Sequence, residues 1–364
     1  MRTVDHLNFI HNAPFVSIVL PVRNESQHIG SCLSRLLEQD YPKDRFEILV
    51  VDGDSADDTR EVVQQILQRV QSDRLRLLAN PERIVPAALN IGIRAARGSI
   101  IVRMDGHTVP ESDYVSSCVR ALNATGAANV GGPMLPAGET EFGRAVAVAL
   151  QHPFGVGDAR FHIDGQAGFV DTVYMGAFRR DIFEASGLFD ESMVRNQDYE
   201  MNVRIRNAGG RIYLDPTIRS RYTPRGTWSA LWKQYFEYGW WRVETLRRHR
   251  KSARWRQLLP ATFVLSLLVL AVAAPLSQLA ALGIGLLLAT YVATLTAAAV
   301  GRRGRAEGFA FWNLPLAFVA MHVGYGSGFL LNVTSGGRFP FKSSPPLVPP
   351  LSNESRSTVT AAHT

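Results

Sequence analysis

Apolar residues follow two regimes along this chain. Before about residue 226 they come in short runs alternating with helically spaced sets; after Leu258 they form runs long enough to cross a bilayer. Phe15 to Val22 (FVSIVLPV) reads as a strand ended by Pro21. A helical pattern follows through Ile29, Cys32, Leu33, Leu36 and Leu37, closed by Asp40-Tyr41-Pro42. Phe46 to Val51 is a second strand, running into Asp52-Gly53-Asp54-Ser55-Ala56-Asp57-Asp58-Thr59. Val62, Val63, Ile66, Leu67 and Val70 mark the next helix, Leu75 to Leu78 a short third strand, and Pro86 to Ala96 another helix. Ser99 to Met104 is a fourth strand, apolar enough to be buried on both faces. This alternation with short connections predicts an α/β domain built on a parallel sheet with right-handed crossovers. From Ala128 to Pro216 the pattern is less regular, with strands expected at Ala128 to Leu135 and Phe169 to Tyr174 and a helix over Asp181 to Ser186. Asp198 and Glu200 stand at a further helix start, where the dipole favours an anion.

Three apolar segments follow: Leu258 to Ala274, Leu276 to Val300 and Phe309 to Val333. The first two read as a hairpin around Pro275. Asn313, Pro315, His322 and three glycines interrupt the third, which either spans, re-enters or packs against the others. Arg302, Arg303 and Arg305 make the loop before it cytoplasmic by the positive-inside rule. Thr227 to Arg256 is aromatic and basic, with five of the six tryptophans in it or at its edges. It reads as an amphipathic segment on the bilayer surface or a helix packed on the preceding domain, two readings that can hold together. The expected plan is an extension over 1–14, a catalytic domain over 15–226, an interface segment over 227–257, a membrane region over 258–333 and a Pro- and Ser-rich disordered tail over 334–364.

Charge sharpens this plan. The 364 residues carry a formal net charge of +7. Much of the excess is Arg242, Arg247, Arg248, Arg250, Lys251, Arg254 and Arg256, directly before the first apolar run. That position suits anionic lipid rather than nucleic acid. Cys32 and Cys118 lack metal-ligand spacing and read as buried hydrophobes in a reducing compartment. Met1 to Pro14 has no apolar core, so the domain is expected to stay in the cytoplasm, tethered to the inner membrane.

Candidate chemistry lies at the strand ends, where ligands bind in open α/β sheets. There is no G-x-G-x-x-G after the first strand and no G-x-x-x-x-G-K, which weakens dinucleotide and P-loop readings. Carboxylates stand there instead: Asp52 after the second strand and Asp105 after the fourth. They suit a nucleotide's ribose and base plus a metal. Asp105 and His107, two residues apart across Gly106, either hold a divalent cation or form an ordinary strand-ending turn.

With these residues in place the chain resembles the family 2 glycosyltransferases. The likeness rests on Pro21-Val22-Arg23-Asn24-Glu25, on the run from Val51 to Thr59, on Asp105-Gly106-His107 at the family's DxD position, on Gly176 to Arg180, and on Gln197-Asp198 at the Glu-Asp position. Within the family the chain is most similar to the succinoglycan-type exopolysaccharide glucosyltransferases. The resemblance implies a GT-A fold, an α/β doubly wound mixed sheet, followed here by transmembrane helices. It implies that Pro21, Arg23 and Glu25 lie beside the nucleotide, that Asp52 contacts the base and that Asp105 contacts ribose or cation. It further implies His107 at the second metal position, Mg2+ or Mn2+ as cofactor, and Asp198 as catalytic base. Gly176, Gln197, Gln234, Trp240 and Trp241 are acceptor or loop candidates. Gln234 opens something like the Gln-x-x-Arg-Trp motif of processive synthases, but Glu237-Tyr238 stands where Arg-Trp would be, against processive synthesis.

The expected activity is inverting transfer of a hexose, glucose first, from a UDP-sugar to a polyprenyl-linked saccharide in exopolysaccharide or cell-surface glycan synthesis. Membrane lipid and other polysaccharide-assembly enzymes are the expected partners. Two alternatives stand: a polyprenyl-phosphate hexose synthase, and a non-catalytic nucleotide-binding scaffold.

Overall fold

The computed structural model describes residues 13–157, 159–163, 165–301 and 311–339. The extension before residue 13, the Arg302–Arg305 loop and the tail after residue 339 lie outside the described residues, and with them the orientation and disorder expected there.

Among the described residues eleven strands are formed: β1 Val16–Val22, β2 Phe46–Asp52, β3 Leu75–Ala79, β4 Ile100–Arg103, β5 Thr108–Pro110, β6 Asn129–Gly131, β7 Met134–Pro136, β8 Gly168–Val170, β9 Ala177–Arg179, β10 Ile212–Leu214 and β11 Ser220–Tyr222. The helices are α1 Ile29–Leu37, α2 Thr59–Val70, α3 Val85–Ala95, α4 Tyr114–Thr125, α5 Glu141–Leu150, α6 Pro153–Val156, α7 Ile182–Ser186, α8 Gln197–Asn207, α9 Trp228–Arg248, α10 Trp255–Ala273, α11 Gln278–Val300 and α12 Asn313–Ser335. The main sheet runs β3-β2-β1-β4-β9-β6-β10-β8, and β5-β11-β7 form a smaller one. β3, β2, β1 and β4 are parallel, whereas β9 runs antiparallel between β4 and β6.

Both faces of the parallel half are covered, which is why its strands read as continuous apolar runs. Ile18, Leu20, Ile48 and Val50 pack with Leu33 and Leu36 of α1 and Leu122 of α4. Val19, Leu49, Val51 and Ile101 face the other way, onto Leu89 and Ile93 of α3 and Met201 and Ile205 of α8. The sheet is therefore doubly wound, and α8 is fixed under its carboxyl edge by its own apolar side.

α10, α11 and α12 are long and apolar enough to cross a membrane. α10 and α11 turn Leu268, Val272, Leu279, Leu282 and Leu286 outward. α12 differs: it is one unbroken helix, and Leu314, Ala317, Phe318 and Met321 are buried with Val146, Ala149 and Leu150 of α5. The glycines that interrupt the apolar pattern are close-approach points rather than breaks. A Cβ on Gly328 would lie 2.0 Å from the Phe236 carbonyl oxygen of α9, and one on Gly326 would lie 2.4 Å from the Pro260 carbonyl oxygen of α10. Gly239 of α9 reciprocates, since its Cβ would lie 2.0 Å from the Tyr325 carbonyl oxygen. The segment packs against the others, and its length and apolar character also suffice for a span.

Candidate active site

The strand register sets the site. Val22 of β1 lies opposite Asp52 of β2, and Val19 lies opposite Arg103 of β4. The loops after these strands therefore leave from one edge of the sheet, and two of them are stapled together. Asn24 sits in the left-handed region (φ 54°) and accepts from the Ala56 amide at 2.8 Å, while its own amide donates to Ser55 Oγ at 2.9 Å. The Glu25 amide donates to Thr59 Oγ1 at 2.8 Å and the Ser26 amide to Asp57 at 3.1 Å. Partial burial alone would raise the Asp57 carboxyl, but hydrogen bonds from Thr59 and Ser26 bring it to about 2. Asp52 is buried and accepts from Ser55 and from the Arg60 Nε. Arg23 points its Nε into the protein, where that atom has no hydrogen-bond partner.

Arg103 joins the second half of the site. Its guanidinium donates to Asp105 Oδ1 at 2.9 Å and also to Asp198 Oδ1. It is 5% exposed, a charge buried at the end of an otherwise apolar strand. Asp105 and Asp198, 93 positions apart, thus flank one guanidinium. Tyr174 donates to the other Asp105 oxygen at 3.2 Å. Burial raises the Asp105 carboxyl pKa, but Arg103 and His107 more than reverse this and hold it below the usual carboxylate range. His107 pairs its Nδ1 with Glu25 at 3.0 Å. Its pKa is raised: burial opposes the imidazolium, but the Glu25 hydrogen bond and the Asp105 charge outweigh burial.

A resident cation must fit these donors. Among the described residues no three His, Cys, Asp or Glu side chains form a ready-made metal set. Asp105 and His107 nevertheless offer oxygen and imidazole donors two positions apart: Oδ1 of Asp105 is taken by Arg103 Nε and Nη2, but Oδ2 keeps a lone pair beyond the one given to Tyr174. Such a sparse set fits an ion that completes its shell with substrate phosphates, as Mg2+ does.

The interface segment borders this edge. Arg195 pairs with Glu237 of α9 at 3.0 Å, and Asn196 Nδ2 donates to the Tyr238 carbonyl at 3.2 Å. Glu237-Tyr238 therefore braces the turn before Asp198. Trp240 and Trp241, expected at headgroup level and near the acceptor, are buried instead with Met193 and Phe236 and hold that same turn from behind. Both are packing residues. The outward-facing tryptophans are Trp228, Trp255 and Trp312. Gln234 is occupied by the Tyr238 hydroxyl at 3.0 Å, and Gln197 is buried in the first turn of α8. Gly176 precedes β9 with φ +100°, and its carbonyl accepts from the Arg103 amide at 3.0 Å. A Cβ there would lie 2.5 Å from Asn129 Oδ1, so glycine shapes the wall of the site. Residue-by-residue reading missed Arg103, Tyr174 and Arg60. The available signal was an arginine inside a fully buried strand.

A parallel half-sheet continued by antiparallel strands, with acidic loops at its carboxyl edge, defines a GT-A-type transferase fold. The mannosyltransferase PcManGT from Pyrobaculum calidifontis, solved with GDP-Man and Mn2+, has this fold. It superposes with a TM-score of 0.59 over 86% of this chain and 87% of its own, at 21% identity. The glycosyl transferase family 2 model matches residues 17–187. The succinoglycan biosynthesis protein ExoA of Rhizobium meliloti is 31% identical over 245 residues, 67% of this chain and 73% of its own. A Methanococcus voltae protein named as a dolichyl N-acetyl-α-D-glucosaminyl phosphate 3-β-D-2,3-diacetamido-2,3-dideoxy-β-D-glucuronosyltransferase is 29% identical over 260 residues, 70% of this chain and 80% of its own. The chain belongs to glycosyl transferase family 2.

Proposed function

We propose that the protein transfers a hexose, glucose in our reading, from a UDP-linked donor to a polyprenyl-linked saccharide, with inversion at the anomeric carbon. The observation that carries this reading is the single Arg103 guanidinium spanning Asp105 and Asp198. It supports a donor-side carboxylate and an acceptor-side carboxylate serving one crevice. The nucleotide lies along the stapled loops, beside Pro21, Arg23, Glu25 and Asp52. Asp198 takes the proton of the acceptor hydroxyl as that oxygen bonds to the anomeric carbon. The bond from that carbon to the diphosphate oxygen breaks, and its electron pair leaves with the nucleoside diphosphate. A divalent cation at Asp105 and His107 would supply charge for the departing diphosphate. Replacing His107 with Ala is expected to raise the Mn2+ concentration for half-maximal activity about tenfold or more; an unchanged metal titration removes His107 from the ligand set.

The lipid-linked acceptor is supported by the bracing of the Asp198 turn on α9, which packs along the apolar α12. Arg242 of α9 stacks over the Tyr199 ring at 3.9 Å, and its buried Nε and Nη1 have no hydrogen-bond partner. That cation beside the residue following Asp198 suits the phosphate of a lipid carrier. It also favours a second reading, in which a polyprenyl phosphate is itself the nucleophile. In both readings the catalytic unit spans 15–226 and faces the cytoplasm. The test supplies radiolabelled UDP-glucose and a lipid extract to membranes holding the full chain. Label is expected in the organic phase, and equal transfer to a water-soluble oligosaccharide defeats the lipid assignment.

A further inference from the structure

A second site lies at the far end of α8 from Asp198. A cavity of about 430 Å³ opens between the last turn of α8, the end of α9 and the short turn that leads into α10. Arg206, Arg247, Arg248, His249, Arg250 and Lys251 line it, and no acidic side chain does. Three of these side chains are already engaged: Arg247 by Glu244, Arg248 by Asp190, and His249 by Glu200 at 2.9 Å. Arg206, Arg250 and Lys251 make no ion pair among the described residues. Two buried polar atoms on the lining residues, Arg206 Nε and Ser252 Oγ, have no hydrogen-bond partner.

The ordinary explanation for basic residues here is the negative end of a helix, and Arg206 in the last turn of α8 answers it. Arg247 and Arg248 answer the end of α9 in the same way, but that explanation does not reach Arg250 and Lys251, which lie in the short turn beyond it. Nor does it account for two unpartnered buried donors, which are costly unless something accepts from them. A concave set of guanidinium, ammonium and hydroxyl donors is complementary to a phosphate group. Its position identifies the source of that phosphate. The lining ends at Ser252, three residues before the exposed Trp255 that begins the first candidate membrane helix. A headgroup at the bilayer surface is therefore within reach, and a basic stretch beside a membrane span is where anionic lipid concentrates.

We propose that this cavity binds the phosphate of an anionic membrane lipid. Occupancy bears on catalysis through α8. His249 on the cavity rim bonds Glu200, Glu200 also holds Arg204, and Glu200 sits two positions after Asp198. A filled cavity fixes the end of α9 against α8, so the lipid acts as an ordering ligand for the helix that carries the proposed base.

The test reads thermal unfolding of the detergent-purified full chain, which requires no sugar transfer and so stands or falls apart from the functional reading. Dihexanoyl phosphatidylglycerol is titrated against dihexanoyl phosphatidylcholine and against inorganic phosphate. Phosphatidylglycerol is expected to raise the unfolding midpoint with a saturable dependence, and phosphatidylcholine to leave it in place. The double variant R206Q/K251Q, which touches no residue of the active site, is expected to keep its unliganded midpoint and bind roughly 30-fold more weakly. Equal stabilisation by inorganic phosphate would overturn the lipid assignment in favour of a free phosphate. Equal stabilisation by phosphatidylcholine, or an unchanged response in the double variant, would overturn the site itself.

Discussion

Substituting Asp198 by Asn is expected to cut turnover by about 10²–10⁴-fold while nucleotide-sugar affinity stays unchanged. The substitution is nearly isosteric. Its carbonyl oxygen still accepts from Arg103, so the buried guanidinium keeps a partner and the crevice keeps its shape. What disappears is the ability to take a proton from the attacking hydroxyl. The comparison needs initial rates at saturating donor and a calorimetric titration with UDP. Full turnover in D198N would place an already ionised phosphate in the nucleophile's role, because such a nucleophile requires no base. Loss of UDP binding together with rate would instead make Asp198 part of the donor site.

Gly239→Val is expected to prevent stable assembly of α9 with α12, at a cost of about 3 kcal/mol or more. The contact is backbone to backbone. Even one added carbon meets the Tyr325 carbonyl, and Gly328 and Gly324 make matching approaches from α12 to the Phe236 and Trp232 carbonyls. No rotamer change relieves a clash at the Cβ itself. The measurement is the unfolding midpoint and the monodispersity of protein in detergent. Gly285→Val on α11 is the control, because a Cβ at that position would have nothing within 4 Å and the midpoint should not move. A Gly239 variant as stable as the control would mean that the two helices are not packed as described.

Sequence pattern exposes some of this architecture and hides the rest for physical reasons. β1, β2 and β4 are legible because burial on both faces removes most polar residues; of those left inside β1 and β2, Ser17 and Glu47 satisfy each other at 2.7 Å. The loops after them are legible because carboxylates and glycine follow an apolar run. β6 to β11 are three residues each, too short for a period to emerge. The Arg103 bridge is hidden because its partners come from the end of its own strand and from a helix 95 positions away. The Glu25–His107 pair, 82 positions apart, is hidden in the same way. Trp240 and Trp241 mislead because an aromatic and basic stretch before an apolar run looks identical whether its rings meet lipid or a neighbouring helix. Only the facing residues, Met193 and Phe236, decide that.

Because α12 closes over α5 and α9, the last apolar segment is a wall of the enzyme as well as a hydrophobic stretch. Cutting the gene after residue 257 to obtain a soluble fragment would strip cover from Val146, Leu150 and the Gly239 face at once. Such a fragment is expected to aggregate on expression, so biochemical work on this transferase begins with the intact polypeptide in detergent or nanodiscs.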